Sequence, residues 1–389
     1  MLLTYHTATD LWTAGCETAL WLALGATLYT WAGYPASLWV LSRERCGKLS
    51  PKAFEPTVSI IIAARNEEAQ IRDKLRDCSA LRYRPDALQI LVASDGSTDN
   101  TETIVRELSE RDPRVELVRT KGRAGKSQAQ NVAAQHASGE ILLFTDVETR
   151  IPPDALQPIL GNFSDPQVGL VTAVVNFPKG DGAVAGGQGF YWRYETFLRQ
   201  MESDIGILAT ASGQLLAVRR SLFRPIDPQH GDDCIIPLDV CLHGFRVVQE
   251  PRAVVTDVMP HTIEGELRAR IRMTTRNWTG TFSRPALLNP LRFPGTAWSL
   301  VSHKLLRWLT PFLLVSALIS NTVLVLEHRA VLLWFTQAIF YLAAIVGWLR
   351  ERKGQSAAPF SYAFCFCLAN VGFMLGIVKA FRGQRTVAY

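Results

Sequence analysis

The sequence predicts an α/β domain flanked by N- and C-terminal transmembrane helices. Apolar residues concentrate near the N-terminus and after about residue 309, whereas the middle alternates short apolar strands with amphipathic helices. A chain of 389 residues accommodates one large domain and several membrane spans. Hydrophobic residues make up 48% and charged residues only 20%, a low charged share for a soluble protein.

The first apolar segment, residues 19–41, carries no charged side chain and is long enough to cross a bilayer of about 30 Å. The preceding tail, residues 1–18, contains no Lys or Arg, so a cleaved secretory leader is disfavoured. The positive-inside rule predicts an extracytoplasmic tail and a cytoplasmic domain after residue 43, because four basic residues follow the segment: Arg43, Arg45, Lys48 and Lys52.

Three further apolar runs close the chain, and we expect transmembrane helices at 309–326, 331–349 and 359–380. The last run either crosses the membrane or re-enters it from the same side. A full crossing would place three basic residues outside, against the positive-inside rule: Lys379, Arg382 and Arg385. Residues 296–308 alternate basic and aromatic side chains with apolar ones, which predicts an interfacial helix. A core helix at a subunit contact is the alternative.

Composition excludes several classes. The seven cysteines form no CxxC pair and no Cys/His cluster with zinc spacing, which disfavours a zinc site and a disulfide framework. The net charge of +6 comes mostly from basic residues beside the apolar runs, where they meet anionic membrane lipids. No nucleic-acid-binding motif is present, so nucleic acid is not expected as a partner.

The middle domain, residues 55–290, has a βαβαβ rhythm. Buried strands are predicted at 58–64, 88–94, 115–119 and 141–145, with Asn66 capping a helix that runs to about Leu81. This rhythm indicates a Rossmann-like, parallel, nucleotide-binding sheet with ligands at the carboxyl ends of its strands. No GxGxxG follows the first strand, and the glycines of residues 122–127 are too close together for a phosphate loop.

Acidic residues follow successive strands: Glu67 and Glu68, Asp95, then Asp146 and Glu148. Asp146 and Glu148 leave an apolar strand together, so both carboxylates can face one Mg²⁺ or Mn²⁺ while Val147 points away. Such a pair is more often a solvated turn when it stands alone. Its position after a buried strand favours the metal interpretation.

These motifs, in this order and spacing, resemble those of glycosyltransferase family two with a GT-A fold, in its membrane-anchored, polysaccharide synthase-like branch. The segments that carry the resemblance lie between residues 55 and 280 and are VSIIIAARNEE (58–68), DGSTD (95–99), GKSQAQN (125–131), TDVET (145–149), ASGQL (211–215) with Arg219 and Arg220, and GDD (231–233).

On the donor side, the resemblance implies that Ala64, Asn66 and Glu68 line the nucleoside. It also implies that Asp95 accepts a hydrogen bond from the base. Lys126 would lie near the diphosphate and supply positive charge.

On the acceptor side, the resemblance implies that Asp233 is the general base that deprotonates the acceptor hydroxyl for inverting attack. Asp232 lies beside it, and adjacent carboxylates raise one another's pKa. Gly213 belongs to the acceptor-side segment. Asp146 and Glu148 would hold Mg²⁺ or Mn²⁺, although the family motif usually ends in Asp rather than Glu.

The processive members carry Gln-x-x-Arg-Trp, whereas this chain has Thr-Thr-Arg-Asn-Trp at 274–278. Arg276 either contacts the diphosphate or belongs, with Arg268, Arg270 and Arg272, to a basic helix face against lipid headgroups. Trp278 would stack on an acceptor sugar.

Two further features are ambiguous from sequence. His261 is either a metal ligand or a structural residue. Four aromatic residues either form a sugar-binding platform or pack in the core or at the membrane interface: Tyr191, Trp192, Tyr194 and Phe197.

The resemblance implies an inverting transferase of the bacterial inner membrane with a cytoplasmic catalytic domain. A UDP-linked nucleotide sugar is the expected donor, with a GDP sugar as the alternative, and the acceptor is lipid-linked or a polysaccharide. The second hypothesis is a small processive synthase. A non-catalytic nucleotide-binding membrane protein represents another class, and a nucleotidyltransferase is disfavoured by the motifs.

Overall fold

A computed structural model describes residues 2–44, 54–178, 183–258, 262–355 and 358–383. Several residues used above lie outside the described residues, namely Arg45, Lys48, Lys52, His261 and Arg385. The predictions made for them are therefore not addressed by the structure.

The middle domain is built on a seven-stranded sheet of order β3-β2-β1-β4-β6-β5-β7. Its strands are β1 Val58–Ala64, β2 Leu88–Ser94, β3 Val115–Arg119, β4 Ile141–Thr145, β5 Val168–Asn176, β6 Leu215–Arg219 and β7 Arg246–Thr256. The four strands predicted from sequence are confirmed, and they pair in parallel.

The sheet is mixed rather than wholly parallel, which corrects one expectation. Strand β6 runs antiparallel to both β4 and β5. Leu215, its first residue, pairs with Thr145, the last residue of β4. The reversal therefore brings the segment 211–214, which precedes β6, to the same sheet edge as Asp146.

The helices of the described ranges are α1 Leu2–Leu28, α2 Tyr34–Glu44, α3 Ile71–Ser79, α4 Thr101–Ser109, α5 Lys126–His136, α6 Leu156–Gly161, α7 Ala183–Asp204, α8 Asp232–Leu242, α9 Ile263–Phe282, α10 Pro294–Ser299, α11 Leu306–Leu326, α12 Val331–Glu351 and α13 Phe360–Phe381. Helices α3, α4 and α6 cover one face of the sheet, and α5 and α8 cover the other. Because both faces are covered, the central strands are almost continuously apolar and buried.

Asn66 does not cap a helix as predicted, because α3 begins only at Ile71. Asn66 has a left-handed backbone with φ of 56°. Its side-chain Oδ1 accepts a hydrogen bond from the backbone N–H of Thr98 at 2.9 Å. The side chain is thus committed to the neighbouring loop rather than to the helix that follows it.

Among the described residues, three helices are long and apolar enough to cross a membrane: Pro294–Leu326, Val331–Glu351 and Phe360–Phe381. They agree with the three predicted runs. The predicted interfacial segment 296–308 is not a separate helix, because α10 continues into α11 through a π-helical stretch, Leu300–Leu305. Its His303 and Arg307 are buried against the protein instead of facing headgroups, since both contact Glu195 of α7.

The predicted N-terminal span lies within one helical segment, in which a π-helical turn, Tyr29–Gly33, joins α1 to α2. Helix α1 packs along α11, where Leu20 and Ala23 meet Ala317 and Leu324. That residues 19–41 cross a membrane stays a prediction.

Helix α9 lies between the middle domain and α13. The close approach depends on small residues, since a Cβ atom at Gly376 would lie 2.6 Å from Cβ of Thr274. Likewise, a Cβ atom at Gly372 would lie 2.8 Å from Cβ of Arg270. The membrane helices thereby hold the helix that carries the predicted diphosphate contacts.

Candidate active site

The centre of the site is a buried ionic arrangement around Lys126. Helix α5 starts at this residue because Gly125 adopts φ of 91°, which favours glycine. The Lys126 ammonium lies 2.6 Å from Oδ1 of Asp146 and 3.1 Å from Oδ2 of Asp232. The two carboxylates outweigh the effect of burial, which acts to lower the pKa of Lys126, so that this pKa is raised. One cation therefore joins the end of β4 to the start of α8.

Asp232 and Asp233 both occupy the first turn of α8, but their pKa values shift in opposite directions. Burial acts to raise the pKa of Asp232, yet Lys126 and Arg276 hold it at about 2. Gln130 also donates a hydrogen bond of 2.7 Å to Asp232. By contrast, burial and the negative charge of Asp232 raise the pKa of Asp233. The expected raising of both pKa values is corrected for Asp232, because the Lys126 ammonium lies 3.1 Å from its carboxylate.

The carboxylate of Asp233 makes no side-chain hydrogen bond within the described ranges. It lies beside Asn277, since a Cβ atom at Gly231 would be 2.5 Å from Oδ1 of Asp233 and 2.8 Å from Oδ1 of Asn277. A partly exposed, unpaired carboxylate with a raised pKa is suited to accept a proton.

These residues line one cavity of about 270 Å³. Six of the residues predicted for the site border it: Lys126, Asp146, Gly213, Asp232, Asp233 and Arg276. The tertiary structure therefore brings together residues from five separate sequence motifs. Arg219 and Arg220 do not contribute; they donate to backbone carbonyls, those of Val168 and Ala137 among them.

An acidic group surrounds the end of β4. Burial, together with the charges of Asp146 and Glu148, raises the pKa of Glu67 and raises that of Asp257 to about 6. Asp257 directly follows β7, and the sequence analysis missed it as a site residue. The signal was an acidic residue after the apolar end of a strand, the same signal that identified Asp146.

We tested whether this group fits a divalent cation. Asp146 and the exposed Glu148 offer the hard oxygen donors that Mg²⁺ and Mn²⁺ prefer. Within the described part of the chain, however, no three His, Cys, Asp or Glu side chains are arranged to hold a metal. Lys126 also lies against Asp146. The pair therefore fits a cation only if a substrate diphosphate supplies further ligands.

The predicted nucleoside residues cluster at the ends of β1 and β2. Ala64 is buried, and its carbonyl accepts from the backbone N–H of Asp95 at 2.9 Å. The side chain of Glu68 is exposed and accepts from the backbone and side-chain amides of Asn100 at 3.0 and 2.9 Å. With Asn66, these residues shape the loop 97–100 at the sheet edge.

Asp95 differs from the role that the resemblance implies. Its carboxylate is fully buried and accepts from the backbone N–H groups of Ala124 and Gly125 at 2.7 and 2.9 Å. It also accepts from the hydroxyl of Thr120 at 3.1 Å. In this structure Asp95 holds the loop before Lys126 in place rather than presenting an acceptor to a base.

Helix α9 separates into two faces. Arg276 is buried, donates to Ser127 Oγ at 2.9 Å and to the His230 carbonyl, and lines the cavity. Arg270 is buried and paired with Glu266 at 2.6 Å. The structure therefore does not support the alternative that Arg270 and Arg276 face lipid headgroups. Arg272 lines the cavity and has no hydrogen-bond or ion-pair partner among the described residues.

Trp278 does not line the cavity as its predicted stacking role requires. It packs in an aromatic cluster, with ring centroids 4.8 Å from Phe282, 5.7 Å from Phe381 and 6.2 Å from Trp308. Trp308 is the member of this cluster that borders the cavity. The inserted Asn277 faces Gly231 and Asp233 instead.

The four aromatic residues of α7, for which a sugar-binding platform and core or interface packing were the alternatives, do not lie in one environment. Tyr191 and Trp192 line the cavity. Tyr194 stacks on Trp31 with ring centroids 5.9 Å apart. Phe197 is 50% exposed.

Similar sequences and a similar fold are found among known proteins. Residues 59–226 match the profile described as "Glycosyl transferase family 2". An N-acetylglucosaminyltransferase of Rhizobium meliloti (strain 1021) is 28% identical over 252 residues, which cover 61% of this chain and 59% of the relative. A poly-beta-1,6-N-acetyl-D-glucosamine synthase of Staphylococcus aureus (strain COL) is 25% identical over 230 residues, covering 55% and 53%. The chain thus spans little more than half the length of these relatives.

A solved structure, the mannosyltransferase PcManGT from Pyrobaculum calidifontis in complex with GDP-Man and Mn²⁺, has a similar fold. The TM-score is 0.72, with 23% sequence identity, and the match covers 94% of this chain and 99% of that one. The profile match ends before Asp232, so the base candidate and α9 rest on the geometry described above. Residues 59–226 of this chain are thus similar to glycosyl transferase family 2, and the domain that contains them has the GT-A fold.

Proposed function

We propose that this protein transfers a sugar from a nucleotide sugar to a membrane-associated acceptor, with inversion at the anomeric carbon. One observation carries the proposal. The unpaired carboxylate of Asp233 borders the same cavity as Asp146, Lys126 and Arg276. A proton acceptor and charges suited to a diphosphate thus share one space.

In the proposed reaction, Asp233 takes the proton of the acceptor hydroxyl as that oxygen attacks the anomeric carbon. The bond from this carbon to the diphosphate breaks on the opposite face, so a single displacement inverts the centre. The departing nucleoside diphosphate carries negative charge, which Lys126, Arg272 and Arg276 are placed to stabilise.

Asp146 and Glu148 would hold Mg²⁺ or Mn²⁺ in this proposal. Such an ion, when bound, neutralises charge on the leaving diphosphate. The mannosyltransferase with the similar fold was solved with Mn²⁺, which makes Mn²⁺ the first ion to test.

For the donor, we propose a UDP-linked sugar. The two curated relatives are named for N-acetylglucosamine, so UDP-N-acetylglucosamine is the first candidate. For the acceptor, we propose a lipid-linked saccharide or a growing polysaccharide, because Trp308 and Phe373 from two apolar helices border the cavity. By the positive-inside rule, the catalytic domain would face the cytoplasm of a bacterial inner membrane.

A small processive synthase is the second candidate. The name of the Staphylococcus aureus relative supports it. The Thr-Thr-Arg-Asn-Trp segment favours single transfer, because Trp278 is packed away from the cavity. The length of the labelled product distinguishes the two.

The test uses the full chain in lipid nanodiscs with UDP-N-acetylglucosamine, other UDP and GDP sugars, and Mn²⁺ or Mg²⁺, with a crude membrane lipid extract as the acceptor source. We expect nucleotide release with one donor. Asp233→Asn should lower the rate by about 10²- to 10⁴-fold, and Asp146→Ala should remove the metal dependence. Asp227→Asn, at an exposed carboxylate on the preceding loop, is the control. Full activity of Asp233→Asn would refute the assignment of the base.

A further inference from the structure

A second cavity, of about 790 Å³, lies between the catalytic domain and the apolar helices. Helices α12 and α13 supply apolar side chains to its wall, including Phe340, Ala343, Tyr362, Phe366, Leu368 and Ala369. Phe190, Tyr194 and Trp31 close it from the other side. Its size is within the range of about 300–1,000 Å³ that small-molecule sites occupy. We call this space the apolar chamber.

The apolar chamber adjoins the active-site cavity. Tyr191, Glu266 and Arg270 border both spaces. The guanidinium carbon of Arg270 lies 4.3 Å from the ring centroid of Tyr191, and that of Arg307 lies 5.9 Å from the same centroid. Two arginines therefore flank one tyrosine ring where the polar and apolar spaces meet.

Both arginines carry buried N–H groups that lack an acceptor. Nη1 of Arg270, and Nε and Nη2 of Arg307, have no hydrogen-bond partner among the described residues. Arg270 is 6% exposed and Arg307 is 1% exposed. Buried donors are normally satisfied, so an anion at this junction would complete their hydrogen bonding. Arginine forks match the geometry of phosphate oxygens.

We propose that the apolar chamber binds the hydrocarbon chain of a phosphate-bearing lipid whose phosphate contacts Arg270 and Arg307. The end of that lipid that accepts the sugar would extend from the phosphate into the active-site cavity, toward Asp233. This inference rests on the proposed transfer reaction and assigns its acceptor class and the binding site of the acceptor.

The chemistry of the two spaces selects a lipid over a free saccharide chain. A saccharide needs hydrogen-bonding partners along its length. Among the described residues that border the apolar chamber, however, only Arg270 and Glu266 are charged, and they lie at its junction with the active site. A hydrocarbon chain is suited to the remaining, mostly aromatic and aliphatic wall. The arginines select a lipid with an anionic head over a neutral one.

The experiment measures binding without any donor sugar. The full chain in phosphatidylcholine nanodiscs is irradiated with geranylgeranyl phosphate that carries a diazirine on its chain, and labelled peptides are mapped. Unlabelled geranylgeranyl phosphate, geranylgeraniol and butyl phosphate serve as competitors. Ala343→Trp fills the apolar chamber, and Ile339→Trp, at a residue of the same helix that is 65% exposed, is the matched control.

We expect labelling of α12 and α13 peptides that border the apolar chamber. Geranylgeranyl phosphate should compete at least tenfold better than geranylgeraniol or butyl phosphate, because both the chain and the phosphate contribute. Ala343→Trp should lose most of the labelling while Ile339→Trp keeps it. A thermal shift with UDP verifies that Ala343→Trp remains folded, and the competition series needs only the wild-type chain.

Equal competition by geranylgeraniol, or labelling confined to outward-facing residues, would overturn the proposal. Displacement of the probe by a soluble oligosaccharide but not by geranylgeranyl phosphate would instead indicate a saccharide site. Failure here is distinguishable from failure of the proposed transfer reaction. Donor turnover that depends on Asp233 would persist in the first case and be absent in the second.

Discussion

The ammonium group of Lys126 lies 2.6 Å from Oδ1 of Asp146, the residue proposed to bind the metal. Lys126 therefore places a positive charge beside the carboxylate that would bind a divalent cation. The same ammonium is 3.1 Å from Asp232, so its removal affects two acidic groups at once.

We expect Lys126→Gln to tighten Mn²⁺ binding in the absence of nucleotide by about tenfold, or about 1.4 kcal/mol. The reason is that Asp146 loses a competing cation. Turnover should fall, because the leaving diphosphate loses positive charge. Mn²⁺ titration followed by electron paramagnetic resonance measures the affinity. Lys121→Gln, at an exposed lysine of the preceding loop, is the control, and unchanged or weaker Mn²⁺ binding by Lys126→Gln would contradict the competition.

Activity should fall on the acid side at a pH above the ordinary Asp pKa of about 3.9. Asp233 must be deprotonated to accept a proton, and burial together with the charge of Asp232 raises its pKa. Asp232→Asn removes that negative charge, so the acid limb of kcat/KM should move to lower pH even if the rate falls. Asp227→Asn should leave the limb in place. A limb that moves to higher pH in Asp232→Asn would show that another group governs it.

Glu195 should be the most sensitive structural carboxylate at the junction of the domain and the apolar helices. It lies 3.0 Å from Arg199 Nε, 2.6 Å from Lys304 Nζ and 3.0 Å from His303 Nε2, and it also pairs with Arg307. Glu195→Gln leaves Arg199, Lys304 and Arg307 without this counter-charge and should lower the free energy of unfolding by about 3–5 kcal/mol.

Chemical unfolding in detergent micelles measures this loss. The matched control is Glu107→Gln, because Glu107 forms a single exposed pair with Arg72 at 3.1 Å. Such pairs contribute about 0–1 kcal/mol. If the two substitutions lowered the free energy of unfolding equally, the buried ion pairs of Glu195 would not hold the domain to the apolar helices.

The two tryptophans of the aromatic cluster should separate stability from acceptor binding. Trp278→Ala removes a half-buried ring that packs against Phe282 and Phe381, and should destabilise by about 3 kcal/mol while the KM of the folded enzyme for the acceptor is retained. Trp308→Phe preserves most of the packing but changes the cavity wall, and should raise the KM for the acceptor without changing that for the donor. Steady-state kinetics on both substrates checks this, and the reverse pattern would restore the predicted stacking role of Trp278.

Much of the fold could be predicted from sequence because its determinants are local. The strands from Val58 and Leu88 are apolar, β-branched runs, and the observed strands have the predicted bounds. The ends of α11, α12 and α13 follow from the length of each apolar run, to within a few residues. The direction of β6 was not predictable in this way, since it depends on pairing with β4, more than 60 residues earlier.

For the site, the order of the motifs identified Lys126, Asp146, Asp232, Asp233 and Arg276, which border one cavity. The motifs did not predict the contacts of Asp95 and Trp278, whose side chains meet partners that only the folded chain supplies. Asp257 and Arg272 were not predicted as site residues. Asp257 follows an apolar strand as Asp146 does, but its closeness to Asp146, and the position of Arg272 at the cavity, depend on the fold.

The sequence by itself determined which segments are strands, which are apolar helices, and which acidic residues follow the strands, because periodicity and burial act over a few residues. Tertiary structure decided which charges meet. Lys126 and Asp232 are 106 positions apart, and Arg270 and Arg307 are brought to one tyrosine ring from two different helices. Charge states and cavities depend on such distant contacts, so they are properties of the folded chain and not of any motif.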